Sequence, residues 1–387
     1  MNRRVFFALF FSVFTTITGV GLVVPLLPVW ASQMGASGFA VGLIFGSFSI
    51  SRTLGLPYFG KASDRRGRKP YIVAGLFGYA FISLLFLFAN DVWTLIAIRF
   101  LHGFASAAVL PVAQAYVGEI TPFGKEARTM GLFNVAMYLS LSVGPLLGGV
   151  VNEHFGLHTA FLLMGVLTFA AFLLALISLP PTSTEPRTAR LAEQVPYREL
   201  LRKKGVLALC LFRFVYTVCV GVIWGFMPVL ASREFGMGST AIGVCITMGV
   251  FTAGVLQTPL GYAADRSDKR VFVVLGGLFM AGSVYYYNRV SGFWGLFAAN
   301  AAFGVGGGIS MPALMGLGVE QGKREKAMGA IMALITLFHS LGMFVGAQLA
   351  GLVMDVWSLP AAFPVAAAIM AAGTLAFWAL CPGEAKA

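Results

Sequence analysis

Gly60-Lys61-Ala62-Ser63-Asp64-Arg65-Arg66-Gly67-Arg68-Lys69 has a second, degenerate copy 201 residues further on, Gly261-Tyr262-Ala263-Ala264-Asp265-Arg266-Ser267-Asp268-Lys269-Arg270. At the same offset Gly103 meets Gly304, Pro111 meets Pro312 and Glu119 meets Glu320. At offset 198, Met130-Gly131 meets Met328-Gly329, Gly144 meets Gly342 and Gly148 meets Gly346. At offset 200, Pro28-Val29 and Ala31-Ser32 meet Pro228-Val229 and Ala231-Ser232. So many matches in one order, with such small gaps, read as an internal duplication.

The stretches between these polar landmarks are apolar. Of 387 residues, 58% are hydrophobic and 11% charged. A soluble domain carries roughly 25% charged residues, so this chain lacks the polar surface to cover itself in water. A helix needs about 20 mostly apolar residues to cross the hydrocarbon core. Blocks of that length predict spans over 5–30, 39–59, 71–90, 93–117, 129–152 and 159–179, then over 205–231, 239–260, 271–288, 292–318, 328–353 and 360–380. The alternating segments of about 10 residues that a membrane barrel needs are absent. The expected fold is an all-α integral membrane protein of twelve transmembrane helices in two parallel six-helix repeats. Residues 1–179 form the first bundle, 180–204 a Pro-, Thr- and Arg-rich linker, and 205–387 the second bundle.

The net charge of +12 does not point to nucleic acid, because the basic residues sit in short loops between apolar blocks. By the positive-inside rule, 22 of the 27 basic residues fall on the side that holds Arg3 and Arg4, while the opposite loops hold only Arg233 and Arg289. Both termini are therefore expected in the cytoplasm. The start, Met1-Asn2-Arg3-Arg4, looks a little like a secretion signal. The apolar run continues to about Trp30, too long for a signal core, and reads as a retained first helix. Cys210, Cys219, Cys245 and Cys381 lie in apolar stretches without a CxxC pair and read as small buried residues, with no metal site implied. An even number of helices per half keeps both halves in the same orientation, and repeats of that kind commonly hold a substrate site near the midplane.

Several of these residues resemble the major facilitator superfamily, over essentially the whole chain. The segment from Gly60 to Lys69 looks like that family's signature between helices two and three, with Ala62 where leucine is usual. In helix four, Leu95, Arg99, Gly103, Ala107 and Ala108 resemble a second family motif, with His102 where glutamine is common. Gly144-Pro145-Leu146-Leu147-Gly148-Gly149 resembles the helix-five motif of antiport exporters. Gly19 with Pro25-Leu26-Leu27-Pro28 resembles a motif of twelve-helix drug exporters. The resemblance implies a secondary transporter working as a monomer in a bacterial inner membrane. It also implies a cytoplasmic latch at Gly60–Lys69 that holds one state of the cycle.

Physically, Gly60 and Gly67 permit backbone conformations that other residues resist. Asp64 can cap a helix start or accept charge-assisted bonds from Arg65, Arg68 or Arg128. Glu119 and Glu320, at helix ends, are natural partners for nearby arginines, and Asp265 repeats Asp64. A static topology anchor would need neither Asp64 nor the glycines. In helix five, Gly144, Gly148 and Gly149 allow close helix approach and Pro145 bends the chain.

Arg52, Arg99 and Arg213 lie within predicted spans, where a charge costs about 2.5–3.5 kcal/mol at the bilayer centre by insertion scales. The deeper ones are expected to face the interior or a water-filled cavity, while Arg213 is close enough to a helix end to snorkel. No Asp or Glu lies deep in any span. That disfavours a buried carboxylate for cationic drugs and favours neutral, zwitterionic, anionic or lipid-like substrates. His102 and His339 are the histidines within spans, and with Asp64 they are the candidates for carrying a coupling proton. Asn134, Tyr138, Trp224, Gln257 and Asn300 are candidates for lining an apolar cavity, as drug-sized pockets are mostly apolar with a few polar groups.

The leading expectation is export of small amphipathic compounds by proton antiport, with the proton gradient as energy source and no cofactor. No GxxxxGK[ST] loop is present to bind ATP. A carrier of organic anions, sugars or lysolipids is the alternative within transport, and a non-transporting receptor on the same scaffold the alternative outside it. An enzyme is not expected: HExxH, GxSxG and metal-ligand clusters are missing, and the acid-free spans leave acid–base chemistry short of groups.

Overall fold

A computed structural model describes residues 3–121, 126–181 and 196–381. The described residues hold no strand. The helices are α1 (Arg3–Val23), α2 (Leu26–Gln33), α3 (Gly38–Arg66), α4 (Arg68–Leu85), α5 (Val92–Ile120), α6 (Glu126–Phe155), α7 (Leu157–Ser178), α8 (Tyr197–Arg202), α9 (Lys204–Phe235), α10 (Ser239–Asp265), α11 (Lys269–Tyr286), α12 (Gly292–Arg324), α13 (Met328–Val356) and α14 (Ala362–Leu380).

Among the described residues, ten helical stretches combine membrane length with apolar composition, the first being α1 and α2 taken together. Two more among the described residues reach membrane length, α6 with 30 residues and α11 with 18. At 1.5 Å per residue, 18 residues reach about 27 Å, close to the thickness of the hydrocarbon core. Lys269 and Arg270 dilute the apolar content of α11.

The span predicted over 5–30 is present as one membrane-length stretch, Arg3–Gln33, interrupted where α1 stops at Val23 and α2 begins at Leu26, with Pro25 supplying no N–H there. One sequence expectation needs correction. The segment from Gly60 to Arg66 is no loop but the last two turns of α3, and Gly67 alone interrupts the helix, at φ 88°. That left-handed region suits glycine. In the second copy the matching residue is Asp268, at φ −66°, whose carboxylate accepts from Arg270 N at 2.8 Å and so starts α11.

Contacts divide the chain into two compact units. The first takes the described residues of Met1–Ala36, Leu43–Arg187 and Gly238–Thr247, and the second those of Ser37–Gly42, Thr188–Met237 and Met248–Ala387. In the first unit, Val5, Leu9, Leu76, Val112, Tyr116 and Phe133 form a core between α1, α4, α5 and α6. In the second, Tyr287 stacks on Phe363 with ring centroids 5.0 Å apart, and Phe212 meets Phe377 edge-on. The outward aromatic and aliphatic residues, such as Phe81, Val166 and Ile177, are exposed, as lipid-facing residues should be.

The repeated glycines mark helix crossings. A Cβ on Gly103 of α5 would strike the Phe48 carbonyl of α3, and one on Gly304 of α12 would strike the Gly249 carbonyl of α10. Gly148 of α6 meets the Leu22 carbonyl of α1 in the same way, and Gly346 of α13 meets the Val218 carbonyl of α9. Such contacts hold helices together in lipid, where no hydrophobic force acts between them.

Candidate functional site

Arg99 of α5 is 2% exposed. It is buried because α3 and α5 cross at Gly103, one turn away, which closes α3 over the arginine. Its Nε lies 3.4 Å from the Ile44 carbonyl oxygen of α3, and its guanidinium sits 4.5 Å from the centre of the Phe48 ring. Its Nη1 lies 3.2 Å from Nδ1 of His102. A guanidinium only donates, so Nδ1 accepts and the imidazole proton sits on Nε2. That Nε2 is buried and meets no acceptor among the described residues. Phe48, Tyr79 and Phe86 surround the imidazole, with the Tyr79 ring centroid 4.0 Å away.

Tyr79 is fully buried and donates to the Thr16 carbonyl at 3.2 Å. Arg52 and Arg99 both act electrostatically on its hydroxyl. Arg52 is half-buried, and its enclosed Nε meets no acceptor among the described residues. The first unit thus gathers Arg52, Arg99 and His102 around Tyr79, with no carboxylate among the contacts. The aromatic residues of this group escaped sequence reading because an inward tyrosine on an apolar helix looks like ordinary core.

The remaining cavity candidates do not gather in one place. In the second unit Arg213 reaches Sδ of Met311 at 2.8 Å and lies 5.4 Å from the Tyr216 ring, which stacks on Phe303. Asn300 is buried and spends its amide on the Leu296 carbonyl of its own helix, at 2.9 Å. Trp224, Gln257 and His339 are half-buried, and Tyr138 is 38% exposed. The side chains of Asn134 and Arg128 lie outside the described residues. An apolar groove of about 400 Å³ between α4 and α7, lined by Phe77, Phe81, Val166 and Phe169 among others, includes none of the charged candidates.

Each unit carries a charged triad at matching positions. In the first, Arg68 pairs with Asp64 at 2.5 Å and with Glu119 at 2.9 Å, and its Nη1 donates to Ser63 Oγ at 2.8 Å. In the second, Lys269 pairs with Glu320 at 3.0 Å and with Asp265 at 3.7 Å. The guanidinium fork serves three partners at once, where the ammonium is a point charge. Glu320 therefore meets a lysine and not the arginine expected of it. Gly60 borders open space and Arg65 is exposed, so neither belongs to the triad.

In α6, Gly144 lies against Gly21 and Gly148 against Leu22, both of α1. Gly149 lies against Ser239, and the Pro145 carbonyl against Gly243, in the part of α10 that belongs to the same unit. This motif is a track of backbone contacts.

Two long series of parallel landmarks and two matching triads call for a duplicated helical family. The sequence profile described as Major Facilitator Superfamily matches residues 9–222 and again 209–387. The chain belongs to the major facilitator superfamily. It is accordingly a multi-pass integral membrane protein and a secondary transporter of small molecules, not an enzyme. An uncharacterized MFS-type transporter of Methanocaldococcus jannaschii is 26% identical over 354 residues, covering 90% of this chain and 91% of that protein. The quinolone resistance protein NorA of Staphylococcus aureus is 23% identical over 363 residues, covering 92% of this chain and 91% of that one. A crystal structure of the nucleoside transporter NupG has a TM-score of 0.84 at 11% identity, covering 98% of this chain and 100% of that one. At that identity the likeness speaks for the fold alone.

Proposed function

We propose that this superfamily member is a proton-coupled antiporter that exports small amphipathic compounds by alternating access. The observation that carries the reading is full-length similarity to a protein named for quinolone resistance, together with the glycine–proline track of α6. Residues 1–179 and 205–387 act as the two moving halves, joined by 180–204. Both termini lie in the cytoplasm of a bacterial inner membrane, and the protein works as a monomer. Asp64, Arg68 and Glu119, with Asp265, Lys269 and Glu320, form the cytoplasmic latch. Exposed ion pairs are worth only about 0–1 kcal/mol each, which suits contacts that break in every cycle.

A second reading, a carrier of organic anions, is favoured by one feature. Arg52 and Arg99 both lie near Tyr79 with no carboxylate among the contacts of the described residues, where the Arg52 Nε also meets no acceptor. An anionic substrate would supply the missing charge.

Proton release in everted membrane vesicles decides between them. Respiration acidifies the lumen, a quenched pH dye reports it, and cationic, neutral and anionic amphiphiles are added in turn. Dequenching that includes neutral compounds, lost in Arg99→Ala and Asp64→Asn, is the expected result. Dequenching by anions alone selects the second reading. No dequenching by any class removes proton antiport.

A further inference from the structure

The outer side of α3 changes character along its length. Leu54, Tyr58, Lys61 and Arg65 stand at i, i+4, i+7 and i+11, so they share one face of the helix. All four are exposed, Leu54 by 64% and Tyr58 by 63%. The stripe runs from aliphatic through aromatic to cationic. At 1.5 Å per residue, Leu54 and Arg65 lie about 16 Å apart along the axis. Half of a hydrocarbon core is about 15 Å. Order and length both match one leaflet, from chain end to headgroup. Rings form a ledge beside the stripe. Phe59 meets Tyr58, Tyr71 of α4 and Phe104 of α5, with centroids 5.2, 6.3 and 5.0 Å apart.

The charge at the end of the stripe is uncompensated. Segment 60–69 holds five basic residues and one acid. Arg68 takes that acid, Asp64, and takes Glu119 as well. Lys61 and Arg65 form no ion pair and no ring contact among the described residues. The second unit shows the compensated version. Segment 261–270 holds three basic residues and two acids. Tyr262 stands in the place of Lys61, and Arg266, matching Arg65, lies 3.9 Å from the centre of its ring. Arg270 lies 4.6 Å from the Trp378 ring and donates to the Trp378 carbonyl at 3.4 Å. Lys269 pairs with Asp265 and Glu320. Each cation of that segment is engaged within the protein.

We propose that Lys61 and Arg65 seat the phosphate of an acidic phospholipid whose chains lie along Tyr58 and Leu54. The seat faces the leaflet on the side of the triads, outside the cluster around Arg99, and the proposal stands whatever the transported compound is. Charge complementarity selects the headgroup. Two cations without an acid partner attract an anionic lipid, while the ammonium of a zwitterionic lipid cancels that gain. The arginine offers a planar donor fork to the phosphate oxygens and the lysine a point charge. Asp64, exposed one residue before Arg65, is neutralised by its pair with Arg68 and so does not repel the phosphate. The apolar part of the stripe selects a lipid over free phosphate, which gains nothing from Tyr58 or Leu54.

Native mass spectrometry of the full-length, detergent-purified protein tests this, with dioleoyl phosphatidylglycerol and dioleoyl phosphatidylcholine titrated in parallel. A basic residue near a membrane surface is worth about fivefold in affinity for acidic lipid. Two of them should make the first phosphatidylglycerol bind about twenty- to thirtyfold more tightly than phosphatidylcholine. The double variant Lys61→Gln, Arg65→Gln should lose that preference. The double variant Arg266→Gln, Arg270→Gln removes the same charge from the second unit and should keep it. Inorganic phosphate at equal concentration should leave the bound lipid in place. Equal binding of the two lipids by the wild type overturns the proposal, as does a preference that survives loss of Lys61 and Arg65. Equal loss in the two double variants also overturns it, because only the diffuse attraction of a basic surface would then remain. Displacement by inorganic phosphate overturns the assignment of the seat to a lipid.

Discussion

Replacing Gly148 and Gly60 each by alanine sets the reading of the helix crossings against the reading of the signature segment. At Gly148 the new Cβ overlaps the Leu22 carbonyl oxygen and comes within 2.8 Å of its carbon and 2.9 Å of its Cα. All three are backbone atoms, so no side chain can turn away and α1 must retreat by about 1 Å. Overpacking of this kind costs about 1–3 kcal/mol, and alanine returns up to about 1 kcal/mol of helix propensity. The net expectation is a loss of about 1–2 kcal/mol. At Gly60, inside α3, a Cβ meets nothing within 4 Å. There the propensity gain stands alone, about 0.4–1 kcal/mol. For a unit of this size 1 kcal/mol shifts the midpoint by about 2–4 °C. Gly148→Ala should therefore melt about 2–8 °C below the wild type and Gly60→Ala at or slightly above it. The assay is thermal unfolding of the detergent-purified protein at one fixed scan rate, since irreversible unfolding makes the midpoint depend on rate. Equal losses in the two variants, or a Gly148→Ala midpoint at the wild-type value, would refute the contact argument.

Arg99→Met should be nearly neutral for stability, within about 2 kcal/mol, because relief of a buried charge offsets the lost bonds to Ile44 and His102 and the Phe48 contact. A loss of about 3–5 kcal/mol in chemical or thermal unfolding would instead mark Arg99 as half of a buried structural pair. Asp91 starts α5, and hydrogen bonds from the Thr94 hydroxyl, then from its backbone N–H, hold the Asp91 carboxyl below the usual carboxylate range. In the window between the two values the unfolded chain binds more protons, so stability rises with pH there. The midpoint difference between wild type and Asp91→Ala should thus persist down to about pH 4 and close as pH falls through the lowered value. A difference that does not change with acid would show that the cap acts without its charge.

The helices were legible because the signal for each is local. Apolar blocks of spanning length and short basic loops need no knowledge of what lies across the bundle. The repeat offsets were equally legible, and they picked out Gly103, Gly148, Gly304 and Gly346 before their contacts were visible. What a glycine does was not legible. Gly60 and Gly148 look alike in sequence, yet one borders open space and the other a carbonyl of α1. Partners distant along the chain were also out of reach. Arg68 meets Glu119 across 51 residues, Glu153 meets Thr240 across 87, and Asp355 meets Gly38 across 317.

The sequence by itself therefore determined the membrane class, the duplicated architecture, the family, and the presence of intramembrane arginines without intramembrane acids. All of these follow from composition and from the order of short motifs. Only the tertiary structure decided that the signature segment continues α3 as helix, that Lys269 completes the second triad, that Arg99 donates to His102, and that Glu153 and Asp355 close two helix starts. Hydrogen bonds and backbone contacts act over about 3 Å, and which groups come that close depends on how whole helices cross, a property no local stretch of residues carries.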